Sequence, residues 1–415
     1  MNFKSTLIAC CVAYITQAII INLPPLFFIV FRQEYGLSFD QISTLILINF
    51  CTQIVVDLVV GKNAVKWGIR RLCVICHIIS VVGLLLYSAI TIVPNNAVFF
   101  ILLIATILCA IGGGMLEVLI SPIVESLPSD CKSSAMALLH SFYCWGQVLT
   151  VLLTTVFFFL TKGTTYWYIA PVLWALVPFV NTFVFMRVPL LPLSGETAGT
   201  KMRHLIFNPT MLLFILAMLC SGASELAIAQ WASMFAERGL GISKTLGDIL
   251  GPCAFAIFMG TSRTLFATVW SHYNVQKSLI ASAVLCVISY LVMVFSNSPI
   301  VALVACSLSG FSVGLMWPGT ISCSVMRFPV GGPAMFALLA CAGDIGCALG
   351  PAVVGWVGDA VEATGTSWLT QFVDVPNIDA LALRSGIAVA SIFPLLLIVF
   401  VLIMMCKKNH SEKRS

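Results

Sequence analysis

The chain has 415 residues, of which 60% are hydrophobic and only 9% charged, with a formal net charge of +5. Soluble domains carry about 25% charged residues, so this composition excludes a water-soluble globular protein. The positive balance could suggest a nucleic-acid or anionic-lipid partner, but where the charges sit is more informative than their sum, and no nucleic-acid partner is expected.

Met1 to Lys4 followed by an apolar run resembles a signal peptide. The run continues past Pro24-Pro25 to Phe31, too long for an h-region, and no small-x-small cleavage site follows, so it reads as the first membrane helix. A window of about 19 residues then predicts spans near 5–31, 42–61, 72–93, 97–127, 134–160 and 166–188. It predicts six more near 209–236, 246–270, 278–297, 299–326, 334–358 and 385–406. Turn-like breaks separate them: Pro94-Asn95-Asn96, Lys162-Gly163-Thr164, Asn297-Ser298-Pro299 and Val330-Gly331-Gly332-Pro333. A polar linker with Ser194, Gly195, Glu196, Thr197 and Gly199 divides the chain almost in half. The predicted organisation is an N-terminal six-helix bundle (1–188), a cytosolic linker (189–208), a C-terminal six-helix bundle (209–406) and a basic tail (407–415).

Lys and Arg set the orientation. With the N-terminus in the cytosol, Lys4, Lys62, Lys66, Arg70, Arg71, Lys132, Arg187, Lys201, Arg203, Lys277, Arg327, Lys407, Lys408, Lys413 and Arg414 face inward. Arg32, Lys162, Arg238, Lys244, Arg263 and Arg384 are the remainder of the 21 cationic residues. Both termini are therefore expected in the cytoplasm of a multi-pass protein, with the tail as an anionic-lipid anchor. The 16 cysteines, such as Cys10-Cys11, Cys109 and Cys341, fall mostly inside apolar runs, where they act as small hydrophobes. Cys73-x-x-Cys76 has metal or redox spacing, but its place at the start of an apolar run favours a structural role. No cofactor or metal is expected.

An internal repeat supports the count. Shifting the sequence by 200 positions puts Ala137-Leu138-Leu139 on Ala337-Leu338-Leu339, Gly146 on Gly346 and Gly114 on Gly314. Parallel repeats of this kind let a two-bundle transporter enclose a site between its halves.

Charged groups at membrane depth cost at least about 2.5–3.5 kcal/mol and survive where they face a cavity or a partner. Glu117, Glu225 and Asp344 lie well inside spans, and none has a Lys or Arg within its own helix turn. Burial disfavours an ionised carboxyl, so each is a candidate for proton exchange; the alternative is a structural hydrogen-bonded acid. Glu117 follows Gly112-Gly113-Gly114, which lets another helix approach closely, and precedes Pro122 by about a turn. His140, Tyr143 and Gln147 share one helical face, with His140 able to exchange protons near neutral pH. Asn49, Gln53 and Asp57 form a second stripe that lines a cavity or bonds a neighbouring helix. Asp57, nearer the cytosolic end, reads as an anchor for the adjacent basic loop. Gln17 and Asn22 precede Pro24-Pro25, where the helix must break or kink. Gln230 with Trp231, and Trp317 with Pro318, offer amides and flat rings suited to a polar solute; an interfacial position is the other reading for Trp231.

On these motifs the chain resembles the major facilitator superfamily, and within it the fucose/glucose-permease-like, proton-linked sugar branch. The stretch Gly61-Lys62-Asn63-Ala64-Val65-Lys66-Trp67-Gly68-Ile69-Arg70-Arg71 is similar to the superfamily's Gly-x3-Asp-Arg-x-Gly-Arg-Arg loop, with Val65 in the Asp slot and Ile69 in an Arg slot. The resemblance marks Gly61, Lys66, Gly68, Arg70 and Arg71 as gating-loop residues, with Arg263 in the second-half copy that runs to Ser271-His272. Gly114-Met115-Leu116-Glu117 with Ser121-Pro122 resembles the permeases' Gly-x-Leu-Glu…Asn-Pro signature, which implies that Glu117 is the acid linked to proton and substrate. His140-Ser141-Phe142…Gly146 and Gly222-x-x-Glu225-x5-Trp231 resemble further permease runs. The permeases' span-1 Asp has no counterpart; Asn22 is the nearest polar residue, and Asp344 is extra to the pattern.

The resemblance implies an all-α membrane protein of twelve transmembrane helices in two pseudo-symmetric six-helix bundles. It implies a monomeric, proton-coupled symporter of a sugar-like small solute in the cell membrane. The alternatives are an exporter of amphipathic compounds, suggested by 15 Met and 28 Phe, and a non-transporting receptor or membrane enzyme. No metal-ligand cluster, phosphate loop or Ser/His/Asp spacing favours an enzyme.

Overall fold

The computed structural model describes residues 3–37, 39–128, 131–161, 165–192, 202–232, 235–242, 249–270, 272–373 and 377–412. Lys162-Gly163-Thr164, linker residues 193–201 (Ser194 to Thr197, Gly199 and Lys201 among them), Lys244, Ser271, Lys413 and Arg414 lie outside the described residues. So do the side chains of Arg32, Arg238, Lys407 and Lys408. Among the described residues, twelve helices are long and apolar enough to cross a membrane. The architecture is all-α, with the two-bundle repeat expected from the sequence.

The first half comprises α1 (Lys4–Asn22), α2 (Phe28–Tyr35), α3 (Phe39–Trp67), α4 (Ile69–Ala89), α5 (Asn95–Ser126), α6 (Lys132–Leu160) and α7 (Ile169–Arg187). After the short α8 (Met202–Ile206), the second half comprises α9 (Pro209–Ala229), α10 (Ala254–Thr268), α11 (Val275–Phe295), α12 (Pro299–Val313), α13 (Met316–Arg327), α14 (Gly332–Thr364), α15 (Ile378–Ala390) and α16 (Ile392–Glu412). Two compact units result. One holds Met1–Asp130, Phe142–Met202 and Pro329–Cys341; the other holds Cys131–Ser141, Arg203–Phe328 and Ala342–Ser415. The first turns of α6 thus group with second-half helices, and those of α14 with first-half helices.

Several boundaries differ from the hydropathy reading for physical reasons. The first span does not run unbroken to Phe31: α1 stops at Asn22, Pro24–Phe27 forms a 3-10 turn, and α2 follows. Two prolines remove backbone donors and clash with the preceding turn. An aromatic cluster fixes the continuation, with Phe27 and Phe31 rings 5.2 and 5.5 Å from that of the fully buried Trp167. The basic stretch from Gly61 is not a loop, because α3 stays helical to Trp67. Gly68, at φ +88°, makes the break, a conformation that side chains rarely adopt. Arg70 then donates to the Phe185 and Val188 carbonyls, both at 2.8 Å, closing the C-terminus of α7.

The repeat seen at an offset of 200 has a packing counterpart. A methyl group on Gly146 would lie 2.9 Å from Ala18 Cβ of α1, and one on Gly346 would lie 2.9 Å from the Ala223 nitrogen of α9. Likewise Gly114 abuts Val56 and Asp57 of α3, while Gly314 abuts Met259 and Ser262 of α10. In each half the corresponding positions let corresponding pairs of helices meet at close range.

This seam makes a prediction. Gly346→Ala drives a methyl into the backbone of Leu219 and Ala223 and is expected to cost about 1–3 kcal/mol, the usual range for overpacking. Gly319→Ala meets only the side chains of Leu315 and Leu279, at 3.4 and 3.5 Å, and is expected to be neutral or slightly stabilising. Thermal unfolding of the detergent-purified variants reads the difference; equal midpoints would refute the seam.

Candidate functional site

In the first unit, α1 and α5 run antiparallel and share two polar contacts. Gln17 Nε2 donates to Glu117 Oε2 at 2.8 Å. One turn away, the Tyr14 hydroxyl and Ser121 Oγ share a hydrogen bond of 2.8 Å. Gln17 is buried and Glu117 half-buried. The residue in the permeases' Asn slot, Ser121, therefore has a partner that sequence reading missed. The signal is present: Tyr14 and Gln17 are three apart on α1, and Glu117 and Ser121 four apart on α5, so both pairs share a helix face.

In the second unit, Arg263 is the centre. It lies within α10, 3% exposed, rather than in a gating loop. Its Nη2 pairs with Glu225 Oε2 at 3.0 Å, its Nε donates to the Gly314 carbonyl at 2.8 Å, and its Nη1 donates to the His140 carbonyl at 3.1 Å. The Gly314 carbonyl lies at the break between α12 and α13. Burial of this arginine has a direct physical reason: a guanidinium carries five donors in a fixed fork, and here three acceptors from distant parts of the chain meet it.

The remaining predicted residues fall into place around these two centres. Gln53 and Asp57 are fully buried and turned toward α5. A methyl added at Gly113 would lie 3.8 Å from Gln53 Nε2, and one added at Gly114 would lie 3.3 Å from Asp57 Oδ1. Gln53, expected to line a cavity or bond a neighbouring helix, lies against Gly113, and its Nε2 has no hydrogen-bond partner among the described residues. Asn49 is half-buried on the same helix. Asn22 Nδ2 donates to the Ala18 carbonyl of its own helix, at 2.8 Å. His140 is buried, whereas Tyr143 and Gln147 are half-buried. Asp344 is buried on α14 beside Gly343, whose missing side chain makes room for the Trp317 ring. Trp231 packs over Gly355 of the same helix and donates from Nε1 to the Pro351 carbonyl at 3.1 Å. Trp317, expected to face a solute, and Trp231, expected to do so or to lie at the interface, each pack against a glycine of α14. Gln230 is exposed at the end of α9. Gly61 meets Ala337 of α14, while Lys66 and Arg71 are exposed.

Sequence reading missed one buried cluster altogether. His77 Nδ1 donates to the Cys73 carbonyl at 2.6 Å, and Asn181 Nδ2 donates to His77 Nε2 at 2.9 Å and to the Ala9 carbonyl at 3.1 Å. Both ring nitrogens of His77 are occupied, and through Asn181 the cluster ties α1, α4 and α7 together. The Cys76 thiol donates to the Cys73 carbonyl at 3.0 Å, a contact local to one helix.

The sequence profile of the Major Facilitator Superfamily matches residues 6–351, and the chain belongs to that superfamily. It is a multi-pass membrane transporter, not an enzyme. Its fold is similar to that of the E. coli fucose:proton symporter FucP, with a TM-score of 0.76 and 14% identity over 97% of this chain and 99% of that one. It is similar to the proton:xylose symporter XylE, with a TM-score of 0.75 and 13% identity over 96% and 95%. It is also similar to the human organic anion transporter MFSD10, with a TM-score of 0.67 and 15% identity over 97% and 100%. No curated protein sequence matches the chain. At these identities the likeness shows the fold.

The His77 cluster supplies a prediction that separates structure from transport. Asn181→Ala leaves the buried His77 ring nitrogen without its donor, and is expected to cost about 1–3 kcal/mol. Thermal unfolding should show the loss, while uptake per folded molecule keeps its KM. A changed KM with unchanged stability would contradict this assignment.

Proposed function

We propose that the chain is a proton-coupled symporter carrying a sugar or sugar-like small polar solute by alternating access. It works as a monomer in the cell membrane with both termini in the cytoplasm. The observation that carries this reading is the Gln17–Glu117 pair. A side-chain amide can donate to a carboxylate or, turned over, accept from a carboxylic acid. Glu117 can therefore gain and lose a proton while keeping its partner on α1. A guanidinium can only donate, so the Glu225–Arg263 pair suits one protonation state, and the coupling role goes to Glu117. The fold likeness to the fucose:proton and proton:xylose symporters supports the choice of solute and ion.

Export of amphipathic compounds is the second reading, favoured by the likeness to the organic anion transporter and by a buried Arg263. A drug-susceptibility panel on a deletion strain separates them: altered tolerance with intact sugar uptake favours export.

Glu117→Gln tests the coupling directly. In proteoliposomes with an imposed pH gradient, the variant is expected to lose net proton-driven uptake of L-fucose, D-xylose or D-glucose, whichever the parent takes up. Counterflow exchange, which needs no net proton movement, is expected to persist. Undiminished proton-driven uptake would remove Glu117 from the coupling role.

A further inference from the structure

The last span carries an arginine for which its surroundings only half provide. Arg384 lies on α15, inside the span Ile378–Met405, and is 3% exposed. Its Nη1 donates to the Val294 carbonyl at 3.1 Å, at the C-terminus of α11. Its Nε is buried without a hydrogen-bond partner, and among the described residues no carboxylate pairs with it. Asp379 of the same helix is five residues away, about 140° round the axis. Asp359 and Glu362, at the end of α14 that leads toward α15, are exposed. Arg263 makes the contrast: it is as deeply buried, and Glu225 stands 3.0 Å from it. A charge withdrawn from water is costly unless a counter-charge meets it, and the carbonyls at a helix C-terminus supply only a partial one.

The open atoms define what is missing. On a guanidinium, Nε–H and one Nη2–H lie parallel along one edge, and Nη1 projects on the other side. Val294 takes Nη1, so the Nε–Nη2 edge is the one left without a partner. Open space lies close by. A cavity of about 610 Å3 sits at the head of α15, among Thr370, Gln371, Phe372, Asn377 and Leu381. Leu381 is one turn before Arg384, and helical side chains lean toward the N-terminus, so the arginine extends toward the cavity end of its helix. On the other flank, the Phe372 ring lies 6.5 Å from that of Phe295, the neighbour of Val294. Arg384 does not itself line the cavity, which selects a small ion over a larger solute.

We propose that Arg384 binds a small inorganic anion, of the size of chloride, on its Nε–Nη2 edge. The anion gives Arg384 the counter-charge that Glu225 gives Arg263. A water molecule there would satisfy the donors and leave the charge unmatched. The site is independent of which solute the protein carries and of the ion that drives it.

An anion that binds only the folded state raises the unfolding midpoint with its concentration. Thermal unfolding of the detergent-purified, full-length protein, with chloride replacing gluconate at fixed ionic strength, reads this. The parent midpoint is expected to rise as chloride replaces gluconate, and bromide to act like chloride. Arg384→Met removes the buried charge at similar length, and its midpoint is expected to ignore halide. Arg384→Lys keeps the charge and loses the fork. Its half-saturating chloride is expected about tenfold higher, the effect of one charge-assisted hydrogen bond, and it decides the question if the Met variant fails to accumulate. In crystals soaked in bromide, an anomalous peak is expected beside Arg384 Nε. A parent midpoint indifferent to halide overturns the site and leaves Arg384 to the α11 carbonyls alone. A halide response equal to the parental one in either variant, or a bromide peak only elsewhere, overturns it as well.

Discussion

Much of this structure answers to one constraint: in hydrocarbon, a backbone carbonyl or a charge that is not satisfied by the protein is not satisfied at all. Helices satisfy themselves except at their ends and breaks, and there the chain places arginine. Arg70 takes two carbonyls at the end of α7. Arg263 takes the Gly314 carbonyl where α12 gives way to α13. Arg384, 3% exposed, donates to the Val294 carbonyl at the end of α11, at 3.1 Å. A cation is favoured at a helix C-terminus because the last carbonyls carry partial negative charge. The same residue type therefore solves the hydrogen-bonding deficit and lowers its own burial cost.

The two acids are accommodated by different partners, and the difference has chemical consequences. Glu117 is met by an amide, which is neutral and can either donate or accept. Glu225 is met by a guanidinium, which fixes both its charge and its direction. A buried ion pair is a weak source of net stability, yet removing one partner is costly because it leaves an uncompensated charge. The first-half acid thus has a neutral partner across helices, and the second-half acid a charged one.

Much of the architecture is legible in the sequence because its causes are local or periodic. Apolar length gives the spans, Pro24-Pro25 gives the break after α1, and the offset of 200 positions reappears as matched glycine contacts. What is not legible depends on residues far apart. The hydropathy window places Ser262 and Arg263 inside the span 246–270 whereas the family resemblance places them in a loop, and only the convergence of Glu225, Gly314 and His140 makes burial of that arginine possible. Gly61 to Trp67 also reads as a loop, because lysines on a helix that emerges from the bilayer carry the same composition as a loop. Trp231 and Trp317 stand out in the sequence as aromatic rings beside polar or helix-breaking residues. Which surface each ring covers is set by Gly355 and Gly343 of α14, residues that only the fold brings near them. The His77–Asn181–Ala9 cluster leaves no pattern, since each polar member is isolated in an apolar run.

Duplication accounts for the scaffold and not for the chemistry. Gly114 and Gly314 make the same kind of contact, yet α5 continues through Gly114 as one helix from Asn95 to Ser126 whereas the second-half chain breaks at Gly314. Pro318, four residues on, has no N–H to donate, so the Gly314 carbonyl is free to accept from Arg263. Once a guanidinium is there, an acid on α9 has a partner that no acid on α1 or α5 needs. A proline at 318, where the repeat-equivalent position carries Val118, thus leaves a carbonyl for a guanidinium in the second half, while the first-half acid lies beside an amide.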